Sequence, residues 1–163
     1  MLIILKNKDT LHYKDFSFKC TIGKKGLTSN KIEGDKKTPI GIFQLDKLYY
    51  RKDRIKKIET KLCRVSITKK MGWCDDPKSE KYNKLINIQK KIRHEKMHLR
   101  NSNYDLVIPI KYNFKKPKLG KGSAIFLHIT SNYKPTAGCI AIKKNDFLIL
   151  LRLINKNTKI KIN

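Results

Sequence analysis

The residues best suited to covalent chemistry lie within the segment Ser123–Ile142, which reads SAIFLHITSNYKPTAGCIAI. It holds one histidine, His128, and one cysteine, Cys139, each beside a short apolar run. A cysteine attacks a carbonyl group as its thiolate, and a neighbouring histidine can take the thiol proton. The pair therefore predicts nucleophilic acyl transfer, provided that the fold brings His128 beside Cys139.

Small residues surround the candidate nucleophile. Ala137 and Gly138 precede Cys139 and leave its sulfur accessible, and Gly138 permits a tight backbone turn. Such a turn can aim the N–H groups of Gly138 and Cys139 at the oxygen of a bound carbonyl. The alternative is that Cys139 and His128 are ordinary core residues of apolar strands.

The rest of the chain predicts a mostly β domain that positions this pair. A length of 163 residues suits one domain over residues 1–163 with its own core. Pro109 indicates an edge or a bulge in its strand, and residues 71–82 lack a clear period and predict a surface excursion. Helices are predicted at Tyr82–Leu99 and Asn145–Ile154. Strands are predicted at Leu2–Leu5, His12–Ile22, Thr38–Leu45, Ile58–Ile67, Tyr104–Tyr112, Ser123–Thr130, Gly138–Ile142 and Lys159–Ile162.

The chain is strongly basic. It carries 39 basic and 13 acidic residues, a net charge of +26, and only six of the basic residues are arginine. Base readout and bidentate phosphate contacts favour arginine, and the lysines are spread along the whole chain, so nucleic acid is not predicted as the main ligand. Non-specific attraction to polyanions, including anionic wall polymers and membrane surfaces, follows from the charge.

The sequence shows neither the apolar run of a membrane helix nor that of a secretory leader. No apolar run approaches the roughly 20 residues of a membrane helix. The apolar run at Leu2–Leu5 is too short for a secretory leader and fits a first strand. We therefore expect a chain without a visible signal peptide.

A rival constellation is the HExxH pattern of residues 94–98. On the helix predicted over Tyr82–Leu99 its two histidines share one face, as a zinc site requires, and Glu95 can activate water. His128 or a later carboxylate is then needed as a third ligand. The lysine-rich flanks and the lack of an apolar face favour an exposed basic segment instead.

Other residues carry weaker signals. Cys63 and Cys74 can form a disulfide, but their spacing does not require one, and the chain has no CxxC pair. Asp75 and Asp76 point to opposite faces if they lie on a strand; a solvated turn is favoured, and binding of a cation or an ammonium group is the alternative. Trp73, the sole tryptophan, either lines a groove or caps the core. Two further acidic residues are predicted to be turn residues: Glu33 and Asp35.

Two ordered motifs resemble the catalytic domain of the L,D-transpeptidases, the YkuD-like family. His128, followed after a loop by Thr136–Ile140 (TAGCI), resembles the family's His and its Ser-His-Gly-Cys-Ile/Val-Arg motif. Gly34–Phe43 (GDKKTPIGIF) resembles the family's Gly-Asp-x-x-Thr-Pro-x-Gly-x-Phe element. The resemblance covers about Thr21–Leu153, and two motifs a hundred residues apart are far more specific than a lone Gly-Cys. Three further segments resemble a divergent subgroup: 72–77, 82–83 and 122–128.

The resemblance implies peptidoglycan chemistry on a mixed β-sandwich with one or two short helices. In that chemistry a cysteine attacks the carbonyl after the third residue of a stem peptide, an acyl-enzyme forms, and D-alanine leaves. An amine of a second stem then gives a 3–3 cross-link, whereas water as acceptor makes the enzyme an L,D-carboxypeptidase. The implied partners are peptidoglycan stem peptides, the implied location is the periplasm or cell envelope, and no cofactor or metal ion is implied.

The resemblance also assigns roles to residues. It makes Cys139 the nucleophile and His128 the general base, and Gly138 with Cys139 supplies the oxyanion donors. Thr136 occupies the family's Ser/Thr position and is expected to orient His128 or the substrate. The residues expected to contact substrate are Thr136, Ala137 and Trp73.

Two positions depart from the family motif. Ala137 stands where the family has His, and Ala141 stands where it has Arg. Loss of such a charged donor costs on the order of a few kcal/mol in a transition state. Nearby lysines can supply charge but not the fork of a guanidinium group; they are Lys134, Lys143 and Lys144. The departures keep open a second hypothesis, a catalytically weak basic module that binds wall polymer or nucleic acid.

Overall fold

The computed structural model describes all residues from Met1 to Asn163, and β-strands dominate it. The prediction of a mostly β fold is confirmed, with one helix where one or two were expected. The elements are β1 Leu2–Lys6, β2 Thr10–Tyr13, β3 Phe16–Thr21, β4 Leu27–Thr28, β5 Thr38–Pro39, β6 Gly41–Gln44, β7 Leu48–Tyr50, β8 Arg64–Ser66, β9 Met71–Cys74, β10 Leu85–Asn87, β11 His94–Lys96, β12 Leu106–Pro109, β13 Phe126–Ile129, β14 Ile140–Ile142, α1 Lys144–Leu153 and β15 Lys159–Ile162.

Ten of the strands form one mixed sheet, in the order β6-β15-β1-β2-β3-β14-β13-β12-β7-β8. At its centre β13 and β14 run parallel, with Leu127 opposite Ile140 and His128 opposite Ala141. A three-stranded antiparallel sheet, β10-β9-β11, and a two-stranded pair, β4-β5, complete the fold. The central parallel pair brings the two halves of the 123–142 segment side by side.

The central strands are buried on both faces, as their continuous apolar runs predict. Because side chains alternate along a strand, Leu127 and Ile129 of β13 enter a larger core of 25 buried residues together with Ile140. Phe126 of β13 enters a smaller core on the other side of the sheet. The smaller core consists of Tyr49, Ile67, Trp73, Met97, Tyr104, Val107, Ala124, Phe126 and Cys139.

The single helix, α1, packs on the larger core through Phe147, Leu150 and Leu151, which recur at helical spacing. It begins at Lys144, and Lys143 occupies the N-cap position without a side-chain hydrogen bond, so Asn145 does not cap it as predicted. At ten residues the helix is short, and no helix of the structure has the length and hydropathy that a bilayer crossing requires.

The segment 71–99 differs from both predictions made for it. Residues 71–82 are not a surface excursion, because β9 is the central strand of the small sheet and Tyr82 is buried. Tyr82–Leu99 is not a helix, because β10 and β11 pair with β9 from its two sides. Pairing among these three consecutive strands outweighs the weak local preference for a helix.

Pro109 ends an inner strand rather than an edge strand. β12 lies between β13 and β7, and Pro109 is its last residue, opposite Phe126. At the end of the strand the missing N–H removes no bond from the middle of the ladder. The Pro109 carbonyl instead accepts the N–H of Asp46 at 2.9 Å.

Candidate active site

A cleft of about 890 Å³ contains both members of the predicted pair. Cys139 and His128 line it from the central strands and the loop before β14, Glu95 lines it from β11, and Lys31 and Glu33 line it from the segment between β4 and β5. This volume lies toward the upper end of the range for ligand sites. Four separate parts of the chain therefore meet around one sulfur atom.

Cys139 is nearly buried, with 7% of its surface exposed. Its Sγ donates to the Ala124 carbonyl at 3.2 Å and accepts the N–H of Phe126 at 3.4 Å. Burial raises the pKa of the Cys139 thiol far above its ordinary value, and the charge of Glu95 adds to the rise, while the Phe126 N–H and Lys31 oppose it. The Cys139 thiol is therefore protonated at neutral pH.

His128 lies on the same side of the sheet as Cys139, since Phe126 and His128 alternate with the residues of the larger core. Its Nδ1 lies 2.8 Å from the Ile129 carbonyl, which can only accept, so Nδ1 carries the ring proton and Nε2 is the basic nitrogen. Burial lowers the pKa of His128 below its ordinary 6.5, and the carbonyls of Ile129 and Asn103 offset only part of this effect. The imidazole is thus neutral, and no hydrogen bond joins it to the thiol at rest.

The loop before Cys139 is ordered by the Thr136 hydroxyl. Thr136 Oγ1 donates to the Cys139 carbonyl at 2.6 Å and accepts the Gly138 N–H at 3.1 Å. The Gly138 N–H is therefore already paired, which corrects the expectation that it is an oxyanion donor. The Cys139 N–H has no protein acceptor and remains available. Ala137 is exposed on the wall of the cleft.

Gly138 contributes a backbone shape instead. Its φ is +141°, a conformation that residues with a side chain rarely adopt. A Cβ at this position would lie 2.9 Å from the Lys37 carbonyl oxygen. Only glycine therefore lets the loop before Cys139 approach the upstream motif so closely.

The two sequence motifs are in direct contact. The fully buried Thr38 donates from Oγ1 to the Gly138 carbonyl at 2.8 Å and accepts the Gly23 N–H at 2.9 Å. Asp35 fixes the approach to Thr38, because it accepts the Lys37 N–H at 2.8 Å. The upstream motif therefore holds the loop that carries Cys139.

Lys31, which sequence analysis did not single out, is a cation whose charge acts to lower the pKa of the Cys139 thiol. Only 4% of Lys31 is exposed, and its Nζ contacts Asp35 at 2.5 Å and the Ile32 carbonyl at 2.9 Å. Of the lysines that were named, Lys134 lines the cleft, whereas Lys143 and Lys144 line a separate pocket. The one sequence signal for Lys31 is its spacing of four residues from the motif's Asp35.

Glu95 of the HExxH pattern lies in the cleft, but not in the arrangement that a zinc helix needs. Residues 94–96 are strand β11, so His94 and Glu95 point to opposite faces, and the His94 Nδ1 lies 2.7 Å from the Ile92 carbonyl. The Glu95 carboxylate accepts the hydroxyl proton of Tyr104. Burial raises the pKa of Glu95 to about 7.

Trp73 does not contact the cleft. It is 2% exposed, its ring packs against Phe126 at 5.2 Å, and its Nε1 donates to Asn83 at 2.9 Å. The Asn83 amide also accepts the N–H of Ala124 at 3.0 Å, and the Ala124 carbonyl receives the Cys139 thiol proton. Trp73 therefore caps the core, one of its two predicted roles, and does not lie where the prediction of a substrate contact requires. Through Asn83 and Ala124 it supports the position of the Cys139 thiol.

Acidic residues predicted to lie in turns also line the cleft. Glu33 accepts the hydroxyl groups of Tyr82 and Ser123, the latter at 2.6 Å. Asp75 lines the cleft and is held by Arg93, with Nε and Oδ1 3.1 Å apart. Because these partners lie up to 90 residues away in the chain, local sequence could not reveal them. All four cysteines have free thiols, so Cys63 and Cys74 form no disulfide.

Comparison with known proteins identifies the family of this chain. The model of the L,D-transpeptidase catalytic domain family, YkuD, matches residues 1–162. The chain belongs to this family. The resemblance seen in the sequence is thereby confirmed, and the family consists of cysteine-based enzymes that act on peptidoglycan in the cell envelope.

Solved structures show the same YkuD fold. The helical cell shape determining protein Pgp2 from Campylobacter jejuni and its K307A mutant each give a TM-score of 0.55, at 18% and 17% sequence identity. Each match covers 99% of this chain and 46% of the Pgp2 chain, so the chain spans about half the length of these proteins. No curated protein matches the chain in sequence.

Proposed function

We propose that this YkuD-family chain is a peptidoglycan L,D-transpeptidase, with Cys139 as nucleophile and His128 as general base. The observation that carries the proposal is that both side chains line one cleft, His128 from β13 and Cys139 from the position directly before β14, the strand that pairs in parallel with β13. The contact of Thr38 with Gly138, which fixes the nucleophile's loop, supports it.

In the first half-reaction the thiol of Cys139 leaves its hydrogen bond to Ala124 and attacks the carbonyl carbon of the donor stem. The Sγ–H bond breaks as Nε2 of His128 takes the proton, the Sγ–C bond forms, and a carbonyl electron pair moves to oxygen. The free Cys139 N–H donates to that oxygen. The intermediate collapses, the C–N bond breaks, and His128 returns the proton to the amine of the departing D-alanine.

In the second half-reaction the amine of another stem attacks the thioester of Cys139. His128 takes a proton from that amine, and collapse of the intermediate expels the sulfur, which regains its proton. The cleft volume of about 890 Å³ supports transfer, because it offers room beside the donor for an acceptor peptide. Hydrolysis, with water as acceptor, is the corresponding carboxypeptidase reaction.

Electrostatic support at this site comes from the upstream segment rather than from the family's His and Arg positions. The buried Lys31 acts on the Cys139 thiol in the sense that favours the thiolate. Ala137 and Ala141 line the cleft at the positions where the family motif has the larger side chains of His and Arg. We expect this substitution to change substrate preference and rate while it leaves the nucleophile and base in place.

We further propose that residues 1–163 act as a single catalytic domain in the periplasm or envelope, where the stem peptides lie. The family match over residues 1–162 and the pairing of β1 with β15 support the single domain. The fold shared with a cell shape determining protein is compatible with a role in cell shape.

Incubation with a stem tetrapeptide, followed by mass spectrometry of the products, tests the proposal. The expected products are free D-alanine and a 3–3 cross-linked dimer, both absent with Cys139→Ala and both retained with Cys63→Ala, a matched change at an exposed thiol. Release of D-alanine with tripeptide as the only other product assigns the carboxypeptidase reaction. An unchanged tetrapeptide contradicts both.

A further inference from the structure

Glu95 has no part in the steps above, although its carboxylate lines the same cleft as Cys139 and His128. One carboxylate oxygen accepts the Tyr104 hydroxyl, and the other has no protein partner. An anchored carboxylate beside a nucleophile influences every charge that forms there. The position of the Glu95 carboxylate in the cleft therefore suggests that its charge affects the reaction at Cys139.

Tyr104 joins Glu95 to the reacting pair. Its ring packs edge-to-face against the His128 imidazole, with centroids 5.3 Å apart, and against Phe126 at 5.8 Å. Arg54 clamps the preceding loop through the Arg100 carbonyl at 2.7 Å. Tyr104 is itself buried, so Glu95 is held at a fixed place relative to His128.

Glu95 contacts the Tyr104 hydroxyl, and it shares the cleft with the Cys139 thiol. The charged groups that line the same cleft include the carboxylates Asp75 and Glu33 and the cations Lys31 and Arg93. Burial raises the pKa of Glu95 to about 7; the Tyr104 hydroxyl opposes this rise, and the charges of Asp75 and Glu33 add to it. In turn, a charge on Glu95 raises the pKa of the Cys139 thiol. The carboxylate therefore opposes formation of a free thiolate.

We propose that Glu95 is a positioning residue that acts through its charge: it keeps the proton on Cys139 in the empty site and stabilises the His128 imidazolium during attack. The inference rests on the proposed function. As Sγ–H breaks and Nε2–H forms, positive charge appears on the ring that packs against Tyr104, while the negative charge passes from sulfur to the substrate oxygen. The carboxylate disfavours charge on sulfur and favours charge on the imidazole.

Because the Glu95 charge acts oppositely on Cys139 and on His128, its removal is predicted to have opposite effects on two reactions of the Cys139 thiol. Glu95→Gln keeps an acceptor for the Tyr104 hydroxyl but removes the charge. Alkylation of Cys139 by iodoacetamide at pH 8 is expected to accelerate about tenfold, because the thiol ionises more readily. The kcat of acyl transfer from a stem tetrapeptide is expected to fall about tenfold, with little change in KM.

Both rates are read by mass spectrometry of the Cys139 peptide and of the stem products, in a Cys63→Ser background that removes the exposed thiol. Glu95→Asp retains the charge and should move both rates back toward wild type. Glu80→Gln removes an exposed charge of the same type and should alter neither rate. In wild type kcat should rise through about pH 7 as Glu95 ionises, and this limb should vanish in Glu95→Gln.

The outcomes separate this inference from the proposed function. Absence of turnover by the wild-type chain overturns the proposed function. A Glu95→Gln thiol that iodoacetamide alkylates no faster than the wild-type thiol overturns the inference, whatever the turnover. Equal loss of both rates shows a merely structural role for Glu95 and also overturns it.

Discussion

At the scale of single residues, burial decides the protonation state of Cys139 and His128. It raises the pKa of Cys139 and lowers that of His128, so both groups are neutral before substrate arrives. Desolvation acts in these opposite directions because it always penalises the charged form. In the proposed mechanism, attack by Cys139 therefore requires that proton transfer and carbon–sulfur bond formation proceed together.

The raised pKa of Glu95 has a consequence for stability. A carboxyl group whose pKa is 4.5 when unfolded and about 7 when folded binds more protons in the native state between these values. The contribution of this proton binding to the free energy of unfolding is fully present below pH 4.5 and is lost as the pH rises through 7. Glu95→Gln should thus be more stable than wild type at pH 8, by about 2 kcal/mol, and nearly equal at pH 5.

Urea unfolding at the two pH values measures this difference, with Glu80→Gln as the control for loss of an exposed charge. A stability difference that is the same at pH 5 and pH 8 would show that Glu95 does not titrate in this window.

Sequence analysis could single out Cys139 and His128 because their types carry chemistry and their neighbours are distinctive. It could not assign Glu95 or Lys31, since their effect arises only where β11 and the segment before β5 reach the cleft. The protonation state of the pair was equally hidden, because desolvation depends on packing by residues far away in the chain.

At the scale of elements, the site depends on one buried junction between the upstream motif and the loop before β14. Thr38 satisfies the Gly138 carbonyl and the Gly23 N–H with one hydroxyl group. Gly138 in turn passes so close to Lys37 that no side chain fits. Two substitutions test the junction separately.

Thr38→Val keeps the shape of the side chain and removes the hydroxyl. Two buried backbone groups lose their partner, so we expect a loss of about 2 kcal/mol in the free energy of unfolding and slower acylation of Cys139. Urea unfolding measures the loss. Thr10→Val, at a hydroxyl with an exposed hydrogen bond, is the matched control. Equal stability of the two variants would contradict the role of Thr38.

Gly138→Ala introduces both an unfavourable φ and a contact with the Lys37 carbonyl. We expect a loss of about 2–3 kcal/mol in stability, with loss of Cys139 acylation. Gly120→Ala is the control, because its φ is +71° and a Cβ there meets nothing within 4 Å. If Gly138→Ala acylates at the wild-type rate, the loop does not need the glycine conformation.

The elements nearest the nucleophile were predictable, because β13 and β14 are apolar runs next to turn residues. The segment 71–99 was not, because β9, β10 and β11 are short, and each is defined by its neighbours in the sheet. The sequence predicts a helix over Tyr82–Leu99, yet β10 and β11 pair with β9 instead. The predicted fold class is nevertheless correct, because the strands predicted in other segments already make the chain mostly β.

At the scale of the whole molecule, the large sheet joins distant parts of the chain and separates two cores. β1 and β15 pair in parallel, so both ends of the chain belong to the same sheet. The larger core with α1 occupies one side, and the smaller core with Cys139 occupies the other. The face that carries Cys139 is thus supported by a larger core on the opposite side of the sheet.

The net charge of +26 predicts salt-dependent attraction to anionic polymers. We expect the Kd for a linear polyphosphate to rise about tenfold or more between 50 and 300 mM salt, because surface charges are screened. Cys139→Ala should bind equally well, since the charge is spread over the surface. Titrations at several salt concentrations measure the effect, and salt-independent binding would contradict it.

The most direct test of the account is whether Cys139 carries the acyl group. The protein is exposed to a stem tetrapeptide or a carbapenem, and mass spectrometry of the intact chain and its peptides locates any adduct. We predict one acyl adduct on Cys139 in the wild type and in Cys63→Ala, and none in Cys139→Ala. No adduct on Cys139, or an adduct that persists in Cys139→Ala, would contradict the assignment of Cys139 as the nucleophile.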